Sequence, residues 1–455
     1  NLILYQFHDY SIRHFNGYSV IRLIPETESQ LNYLRQLENN ALDLDFWRGP
    51  SYLGRPVDVM IPPQLNHTFQ QKLLCQFFLD FWRGPSYLGR PVDVMIPPQL
   101  NHTFQEIFSK KFPQKSLMID DLEKTLAEER KPFVPINTLD TKADVVDKHF
   151  DDYQRLDKIH AFLDAIAAQY PSIAGVETIG TSYEKRNLKI IRIGVNQAAK
   201  TKPIIFLEGG IHAREWISSA TNQFFAQELV QRSESDADVK DLLNTFDFYI
   251  LPVLNADGYE YTHTDNRMWR KTRQPNGLCY GTDPNRNFAY QWGGEVSLKQ
   301  IGYQLGAETY RGPKAFSEPE TKAVSDFVLS KGTKVKAYLA VHSYGQYWLY
   351  PWGYTSALTK DDAALNRVAK VATTALAQKY NTKYTIGTST NVLYAAAGGA
   401  DDWAYGGAGI KYAYTVELRD TGSYGFSLPK AQIRPTGEET TAAFIAFAKE
   451  VKKEL

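Results

Sequence analysis

The sequence predicts an α/β protein in which helices cover both faces of a sheet, preceded by a small α+β domain. From about residue 140 onward, helical and strand patterns alternate along the chain, which is typical of α/β folds. Before that point, residues 17–129 follow the order β-α-β-β-α-β, the split βαβ arrangement. The length of 455 residues agrees with two domains, because single domains rarely exceed about 250 residues.

The elements of the first domain are indicated by short periodic patterns. Residues 18–23 (YSVIRL) alternate as a half-buried strand does, and residues 26–39 place Leu31 and Leu34 on one side of a helix. The remaining elements are strands at 44–47 and 57–60, a helix at 101–112, a strand at 116–119 and a charged helix at 122–130. The helix ends at a dibasic pair, Arg130-Lys131.

An internal repeat interrupts this domain. Residues 44–70 and 79–105 are identical, reading LDFWRGPSYLGRPVDVMIPPQLNHTFQ, and only residues 71–78 separate them. A single identical pair differs from solenoid repeats, which diverge in sequence and come in three units or more. We interpret it as a recent duplication or an error in assembling the sequence. We expect only one copy to occupy the native place in the domain, with the other loosely packed.

Proline residues after the dibasic pair predict an extended linker, so we place the domains at residues 1–131 and 132–455. In the second domain a helix with apolar residues from Tyr153 to Ile166 is stopped by Pro171. The later elements are strands at 188–195, 203–208, 246–254, 335–341 and 411–418, and helices at 216–232, 317–329, 361–380 and 437–451.

Composition excludes several functional classes. Lysine plus arginine (51) equals aspartate plus glutamate (51), so the chain has no basic footprint for nucleic acid or for an anionic membrane surface. No apolar run reaches the ~20 residues that span a bilayer. The sequence opens without a signal peptide at Asn1, and we expect a secreted protein whose signal peptide is missing from it.

A His-x-x-Glu pair is the first candidate for chemistry. His212 and Glu215 follow the strand at 203–208 and a Gly209-Gly210 bend. Two side chains three apart at the start of a helix can converge on one point, and both types bind zinc. The alternative for such a pair is a surface ion pair or a helix cap.

Two more strand ends strengthen the metal interpretation. His342 follows the strand at 335–341, and Glu417 lies near the end of the strand at 411–418. Ligands of open α/β sheets bind outside the carboxyl ends of the strands. Two histidines and one glutamate with an open fourth position form a catalytic zinc set, and a further carboxylate can serve as general base. Alone, His342 could be a core histidine and Glu417 a partner of Arg419.

At this point the sequence resembles the pancreatic-type zinc carboxypeptidases. The resemblance rests on these stretches: GGIHAREW (209–216), NRMWRKTR (266–273), DPNRNF (283–288), VHSY (341–344), LYAAAGGADDWAY (393–405) and YTVELRDTGSYGF (414–426). Residues 17–129, apart from the extra copy, resemble the inhibitory propeptide of the same family. The resemblance implies a mixed eight-stranded sheet sandwiched by helices, after a ferredoxin-like propeptide domain.

The resemblance also implies residue roles. One zinc ion would be bound by His212, Glu215 and His342. Glu417 would activate water and protonate the leaving amine, and Arg270 would stabilise the oxyanion. Substrate would be bound by Asn285, Arg286 and Tyr394 at its C-terminal carboxylate, and by Arg214, Ser343 and Tyr344 further upstream. From spacing alone, Arg270 and Arg286 could equally belong to a solvated basic segment.

Substrate preference depends on Asp401. The resemblance places this carboxylate at the floor of the specificity pocket, where it favours a C-terminal Lys or Arg because an apolar side chain would leave it unpaired. In the alternative, Asp401 turns outward and Asp402 makes a structural contact. Gly353 counts against the basic preference, because the basic-preferring branch usually has serine there.

The chain departs from the family in its cysteines. Cys279 matches one half of the family's disulfide, but no cysteine lies in residues 289–316, where its partner is expected. We therefore expect Cys279 to be a buried free thiol and expect no bridge to Cys75, which lies between the duplicated copies.

These observations predict the zymogen of a B-type metallocarboxypeptidase acting on peptides and proteins. We expect a monomer, activated by a trypsin-like protease near Arg130 or Lys131, with no nucleic-acid or membrane partner. Two alternatives are an A-type enzyme that prefers apolar or aromatic C-termini and a non-catalytic peptide-binding relative.

Overall fold

The computed structural model describes residues 14–39, 45–48, 57–60, 80–81, 92–96, 110–112, 115–131, 148–195, 201–276, 279–294 and 308–455. The first domain contains β1 (Ser19–Leu23), α1 (Glu28–Asn39), β2 (Asp45–Arg48), β3 (Val57–Met60), β4 (Asp80–Phe81), β5 (Val92–Ile96), β6 (Lys115–Ile119) and α2 (Leu122–Arg130). The bounds of β1, α1, β2, β3, β6 and α2 agree with the predicted elements to within two residues, whereas the strands β4 and β5 of the second copy were not predicted. Residues 101–109 of the predicted second helix lie outside the described residues.

The sheet of the first domain draws strands from both copies of the duplicated segment. Its order is β4-β3-β2-β5-β1-β6, with β2 and β3 from the first copy and β4 and β5 from the second. The long antiparallel pairing with β1 belongs to β5, whereas β3 meets β1 only at Leu23 and Val57. The second copy thus supplies one neighbour of β1, and β6 is the other. Whether the first copy packs loosely concerns side chains outside the described set and stays a prediction.

The helix α2 ends the first domain. Asp121 caps its N-terminus by accepting hydrogen bonds from the backbone N–H groups of Glu123 and Lys124, as Asp commonly does at this position. Leu122 and Leu126 are buried on one side, together with Glu129. One face of the helix therefore packs inward. Its buried carboxylate, Glu129, directly precedes Arg130, the last residue of the helix.

The second domain contains a mixed eight-stranded sheet. The main helices and strands of this domain are α3 (Leu156–Gln169), β7 (Ala174–Thr181), β8 (Asn187–Ile193), β9 (Ile204–Glu208), α4 (Trp216–Gln231), α5 (Ala237–Thr245), β10 (Asp247–Leu251), α6 (Ala256–Thr264), β11 (Pro275–Asn276), β12 (Cys279–Tyr280), α7 (Pro319–Lys331), β13 (Val335–His342), β14 (Tyr347–Tyr350), α8 (Asp362–Tyr380), β15 (Thr385–Thr388), β16 (Tyr412–Glu417) and α9 (Ile433–Lys452). The sheet order is β15-β14-β16-β13-β9-β10-β8-β7.

The predicted fold class is confirmed by this sheet and its helices. The four central strands β16, β13, β9 and β10 are parallel, and β8 and β14 on either side are antiparallel to their inner neighbours. One buried cluster packs the sheet against α4, α8 and α9, and a second packs it against α7. Helices thus cover both faces of the sheet.

Several elements differ from the sequence prediction. The strands β7, β14 and β15 and the helices α5 and α6 were not predicted. The last helix begins at Ile433 rather than residue 437, because Pro435 falls in its first turn, where backbone N–H groups have no helical partner and proline is tolerated. Cys279 is a free thiol, as expected, but it is only half-buried; Cys75 lies outside the described residues.

Within the part of the chain that the structure describes, we find no helix with the length and apolar character needed to cross a bilayer.

Candidate metal and substrate site

Parallel strands bring the predicted metal ligands to one edge of the sheet. In the pairing of β13 with β16, His342 lies directly opposite Glu417 at the strand ends. The neighbouring strand β9 ends at Glu208, and the chain then turns back to place His212 and Glu215 just before α4. Because the carboxyl ends of parallel strands meet at the same edge, all four side chains reach one region.

The turn between β9 and α4 needs two glycines. A Cβ atom on Gly209 would lie 2.7 Å from the side-chain nitrogen of Asn222. Gly210 has a φ of +60°, and its N–H donates to the Ser218 hydroxyl at 2.9 Å. Only glycine fits this close approach and this backbone region without strain, so the bend fixes where His212 emerges.

Three donor groups converge at this edge. The Nδ1 atom of His212 lies 2.6 Å from one carboxylate oxygen of Glu215, and the Nδ1 atom of His342 lies 3.1 Å from the other. The two Nδ1 atoms are 3.2 Å apart, and all three side chains are buried. Two imidazole nitrogens facing one carboxylate have the donor chemistry of a catalytic zinc site, so the residues present fit a zinc ion.

The protonation of these groups agrees with a cation site. Burial and the charge of Arg270 lower the pKa of His212. Burial would also lower the pKa of His342, but the Glu215 carboxylate raises it to about 9. The buried Glu215 carboxylate therefore favours a positive charge between the two imidazoles. A divalent cation would supply that charge, and its ligands must be deprotonated.

A charged network surrounds His212. Its Nε2 atom lies 3.2 Å from the carboxylate of Asp283, which in turn accepts a hydrogen bond of 2.8 Å from the Arg270 guanidinium. Burial would raise the pKa of Asp283, but the charges of Arg270 and Arg286 hold it well below its usual range. A carboxylate on the distal nitrogen orients a metal-binding histidine. We had not predicted a role for Asp283, although it opens the quoted DPNRNF stretch.

All the predicted substrate residues except Arg214 line a single cleft beside the metal donors. The cleft is lined by Arg270, Asn285, Arg286, Ser343, Tyr344, Tyr394, Asp401 and Glu417, with His212 and Glu215. The Arg286 guanidinium donates to the Tyr394 hydroxyl at 3.0 Å, and the Asn285 side-chain oxygen accepts from the Ala400 N–H at 2.9 Å. Both hydrogen bonds hold cleft-lining groups in place before any substrate binds.

Arg214 differs from its predicted position. Its side chain is fully buried and does not line the cleft. The guanidinium donates to the Met268 carbonyl at 3.1 Å and stacks on the ring of Phe426, which does line the cleft. The predicted contact of Arg214 with upstream substrate residues stays a prediction.

Two neighbouring carboxylates occupy different positions at the base of the cleft. Asp401 lines it and accepts a hydrogen bond of 2.9 Å from the Ser389 hydroxyl. Asp402 turns away and accepts from the backbone N–H groups of Gly353 and Tyr354 at 2.8 and 3.0 Å. Burial and the charge of Asp401 raise the pKa of Asp402 well above its usual range. The structural contact of Asp402 thus coexists with an inward-facing Asp401.

The segment that carries Arg270 also contacts the first domain. Arg267 donates to both carboxylate oxygens of Glu129 in α2, at 2.8 and 2.9 Å, and stacks on the ring of Trp216. Two further contacts join the domains: Arg22 donates to the Thr421 carbonyl, and Lys430 to the Lys131 carbonyl. The end of α2 is therefore anchored beside the cleft.

Known proteins match both domains. A family model described as zinc carboxypeptidase matches residues 159–443, and one described as carboxypeptidase activation peptide matches residues 21–76 and 71–129. Each of the last two matches contains one copy of the duplicated segment.

Individual relatives cover most of the chain. Carboxypeptidase B of Astacus astacus is 48% identical over 303 residues, which are 66% of this chain and 97% of that protein. Carboxypeptidase A1 of Homo sapiens is 35% identical over 436 residues, covering 95% and 93% of the two chains. The crystal structure of thrombin activatable fibrinolysis inhibitor has a TM-score of 0.78 at 30% identity, covering 97% of this chain and 100% of that one.

An activation peptide ahead of the enzyme domain makes the chain a proenzyme, a hydrolase in its precursor form. The three converging metal donors of the chain lie within residues 159–443, which the zinc carboxypeptidase family model matches. The chain therefore belongs to the zinc carboxypeptidase family.

Proposed function

We propose that the activated enzyme removes C-terminal lysine or arginine from peptides and proteins. The observation that carries this proposal is Asp401, a carboxylate that lines the base of the cleft. A buried carboxylate favours a cationic side chain, because an apolar one would leave it unpaired. Relatives of both the A and the B type match this chain, so the preference rests on the cleft itself.

The residue roles come from the resemblance to zinc carboxypeptidases, and the convergence of these side chains at the cleft supports them. His212, Glu215 and His342 would hold one zinc ion, which would act as a Lewis acid toward the scissile carbonyl. Glu417 would take a proton from the attacking water and pass it to the leaving amine.

Charged and polar groups would fix the substrate. Arg270 lies 3.9 Å from the Glu215 carboxylate, close enough to stabilise an oxyanion beside the metal donors. Arg286 would pair with the C-terminal carboxylate of the substrate, since a guanidinium binds carboxylates in a bidentate manner. Asn285 and Tyr394 would contact the same carboxylate. Ser343 and Tyr344 would contact the residues upstream of the scissile bond.

The two domains comprise residues 1–131 and 132–455, and activation would require cleavage of the chain between them. The Arg130 and Lys131 side chains are 41% and 65% exposed, so a trypsin-like protease could reach them. We further propose secretion, which agrees with an extracellular activating protease, and a monomeric state.

Hydrolysis of two blocked dipeptides, one ending in arginine and one in phenylalanine, tests the proposal. The protein is first treated briefly with trypsin, and each assay is run with and without a zinc chelator. We expect chelator-sensitive release of arginine in preference to phenylalanine. In the matched variant Asp401→Asn, which keeps the size of the side chain, arginine release should fall by roughly 10²-fold or more.

The other outcomes are also informative. Preference for phenylalanine would indicate an A-type enzyme and would contradict the role of Asp401. Absence of turnover in a folded, zinc-loaded and cleaved sample would indicate a non-catalytic peptide-binding protein.

A further inference from the structure

Glu208 is a buried carboxyl that the proposed reaction does not use. It is the last residue of β9, it has no exposed surface, and neither of its oxygens accepts a hydrogen bond from the described residues. A buried polar group without a partner is destabilising, so its presence in a folded protein needs a physical reason. The position of Glu208 in the sheet points to one.

The register of the sheet places Glu208 on the same face as His342. Glu208 lies opposite Ala340 in the pairing of β9 with β13, and His342 is two residues further along β13. Because alternate residues of a strand share one face, these side chains project to the same side of the sheet. Burial raises the pKa of Glu208 to about 8, and the charge of His342 opposes this rise. The two side chains therefore lie close enough to interact.

The distal nitrogen of His342 also lacks a partner. The Nδ1 atom of His342 faces Glu215, whereas its Nε2 atom is buried and forms no hydrogen bond within the part of the chain that the structure describes. The other imidazole differs, because the Nε2 atom of His212 lies 3.2 Å from the Asp283 carboxylate. A histidine that binds a metal through one nitrogen donates the proton of the other to a carboxylate, a carbonyl or a water. His342 therefore needs an acceptor for its Nε2–H group.

Tyr338 is a third buried polar group on this face. It precedes His342 by four residues in β13, and its hydroxyl has no hydrogen-bond partner among the residues described. Burial and the charge of Glu208 raise the pKa of this hydroxyl well above its usual range, so it keeps its proton. A buried water typically forms about three hydrogen bonds to polar groups that do not reach one another. Glu208, Tyr338 and His342 offer such a water three partners.

From this arrangement we infer that Glu208 is a positioning residue for His342, which it holds through one bridging water shared with Tyr338. The inference rests on the proposed zinc site and adds a support for its third ligand. The Nε2–H group of His342 donates to the water, which accepts a second hydrogen bond from the Tyr338 hydroxyl and donates to the Glu208 carboxyl. The imidazole is thereby fixed with its Nδ1 atom toward the metal position.

The zinc affinity of the uncleaved chain, measured by competition with a chelator, tests the inference. Glu208→Leu removes the acceptor at similar size and should lower the affinity roughly 10- to 100-fold. Glu208→Gln keeps an acceptor oxygen and should retain most of the affinity. Tyr338→Phe should lower it by roughly 3- to 10-fold. Tyr249→Phe is the matched control and should leave it unchanged, because Tyr249 flanks Phe206 on β10 as Tyr338 does on β13.

Urea unfolding of the metal-free chain separates positioning from a merely structural role. Leucine in place of an unpaired buried carboxyl should not lower the urea midpoint, so zinc affinity should fall without a loss of stability. A parallel loss of stability would overturn the inference, as would unchanged affinity in Glu208→Leu or equal losses in Glu208→Leu and Glu208→Gln.

Two further outcomes complete the test. If Glu208→Leu does not fold, the comparison of Tyr338→Phe with Tyr249→Phe decides, and equal affinities of these two variants would overturn the inference. Absence of zinc binding by the unchanged chain would instead overturn the proposed function.

Discussion

Arg267 and Arg270 lie three residues apart but form ion pairs with carboxylates in different domains. Arg270 pairs with Asp283 inside the enzyme domain, beside the metal donors. Arg267 pairs with Glu129 of α2, across the boundary between the domains. Both guanidinium groups are buried to a similar extent, with 5% of each residue exposed, so the difference between them is the partner and not the environment.

One segment thus contacts both the first domain and the residues beside the metal donors. The Arg270 pair lies entirely within the enzyme domain. The Arg267 pair depends on Glu129, which lies just before the proposed cleavage sites at Arg130 and Lys131. We therefore expect cleavage to leave the first pair intact and to free the second for solvent. Four predictions test this contrast.

The largest effect is expected for the pair between the domains. Glu129→Ala would leave Arg267 buried without its carboxylate, and removing one partner of a buried ion pair costs about 3–5 kcal/mol. We expect α2 to detach more readily, so that trypsin cuts near Lys131 at a lower urea concentration than in the unchanged chain. The cleavage product is measured by mass spectrometry.

The neighbouring residue provides the control. Glu128 is 69% exposed and pairs with Lys131, so Glu128→Ala should change the urea dependence much less, as surface pairs contribute little. Equal effects of the two substitutions would mean that the Arg267 pair does not anchor the first domain.

The pair inside the enzyme domain should affect turnover instead. Arg270→Ala is expected to lower kcat by roughly 10²- to 10³-fold, as does the loss of a donor that stabilises an oxyanion. Zinc content, measured by atomic absorption, should stay at one ion per chain, because Arg270 is not among the three donors. Loss of zinc in parallel with activity would contradict a direct role in turnover.

A smaller effect is expected for the carboxylate between Arg270 and the metal donors. Asp283→Asn keeps the size of the side chain but weakens the charged contact with His212. Loss of such an orienting carboxylate typically lowers metal affinity 10- to 100-fold. Competition with a zinc chelator measures the change, and unchanged affinity would show that His212 needs no support from Asp283.

The sequence predicted strand ends better than it predicted side-chain surroundings. The metal donors could be placed because parallel strands deliver their last residues to one edge, a rule that needs only the strand positions. The burial of Arg214 behind Phe426 could not be predicted, since it depends on a contact between segments 212 residues apart. The neighbouring strands β14 and β15 escaped prediction because four residues are too few to establish a period.

The same limit applies to the two arginines. The NRMWRKTR stretch contains four basic residues, and no periodicity distinguishes a residue that contacts α2 from one that contacts Asp283. Only the packing of distant segments against this loop assigns each guanidinium its carboxylate.

The smallest effect concerns a buried carboxyl that contrasts with both ion pairs. Glu320 in α7 accepts a hydrogen bond from the Tyr183 N–H, and burial, with the nearby charges of Glu318 and Asp257, raises its pKa to about 8. Between pH values of about 4.5 and 8, the folded chain keeps a proton that the unfolded chain has released. Stability should therefore fall as the pH rises through this window, by at most about 1.4 kcal/mol per pH unit, and level off above it.

Glu320→Gln removes this titration, so its free energy of unfolding should depend less steeply on pH than that of the unchanged chain. Urea unfolding of the zinc-loaded protein at pH values of about 5, 6.5 and 8 measures how the free energy of unfolding depends on pH. Asp326→Asn, an exposed substitution on the same helix, should leave it unchanged. Arg270 keeps the Asp283 carboxyl ionised, whereas Glu320 has no such ion pair among the described residues. If the free energy of unfolding depended equally on pH in Glu320→Gln and in the unchanged chain, burial would not raise the pKa of Glu320 as proposed.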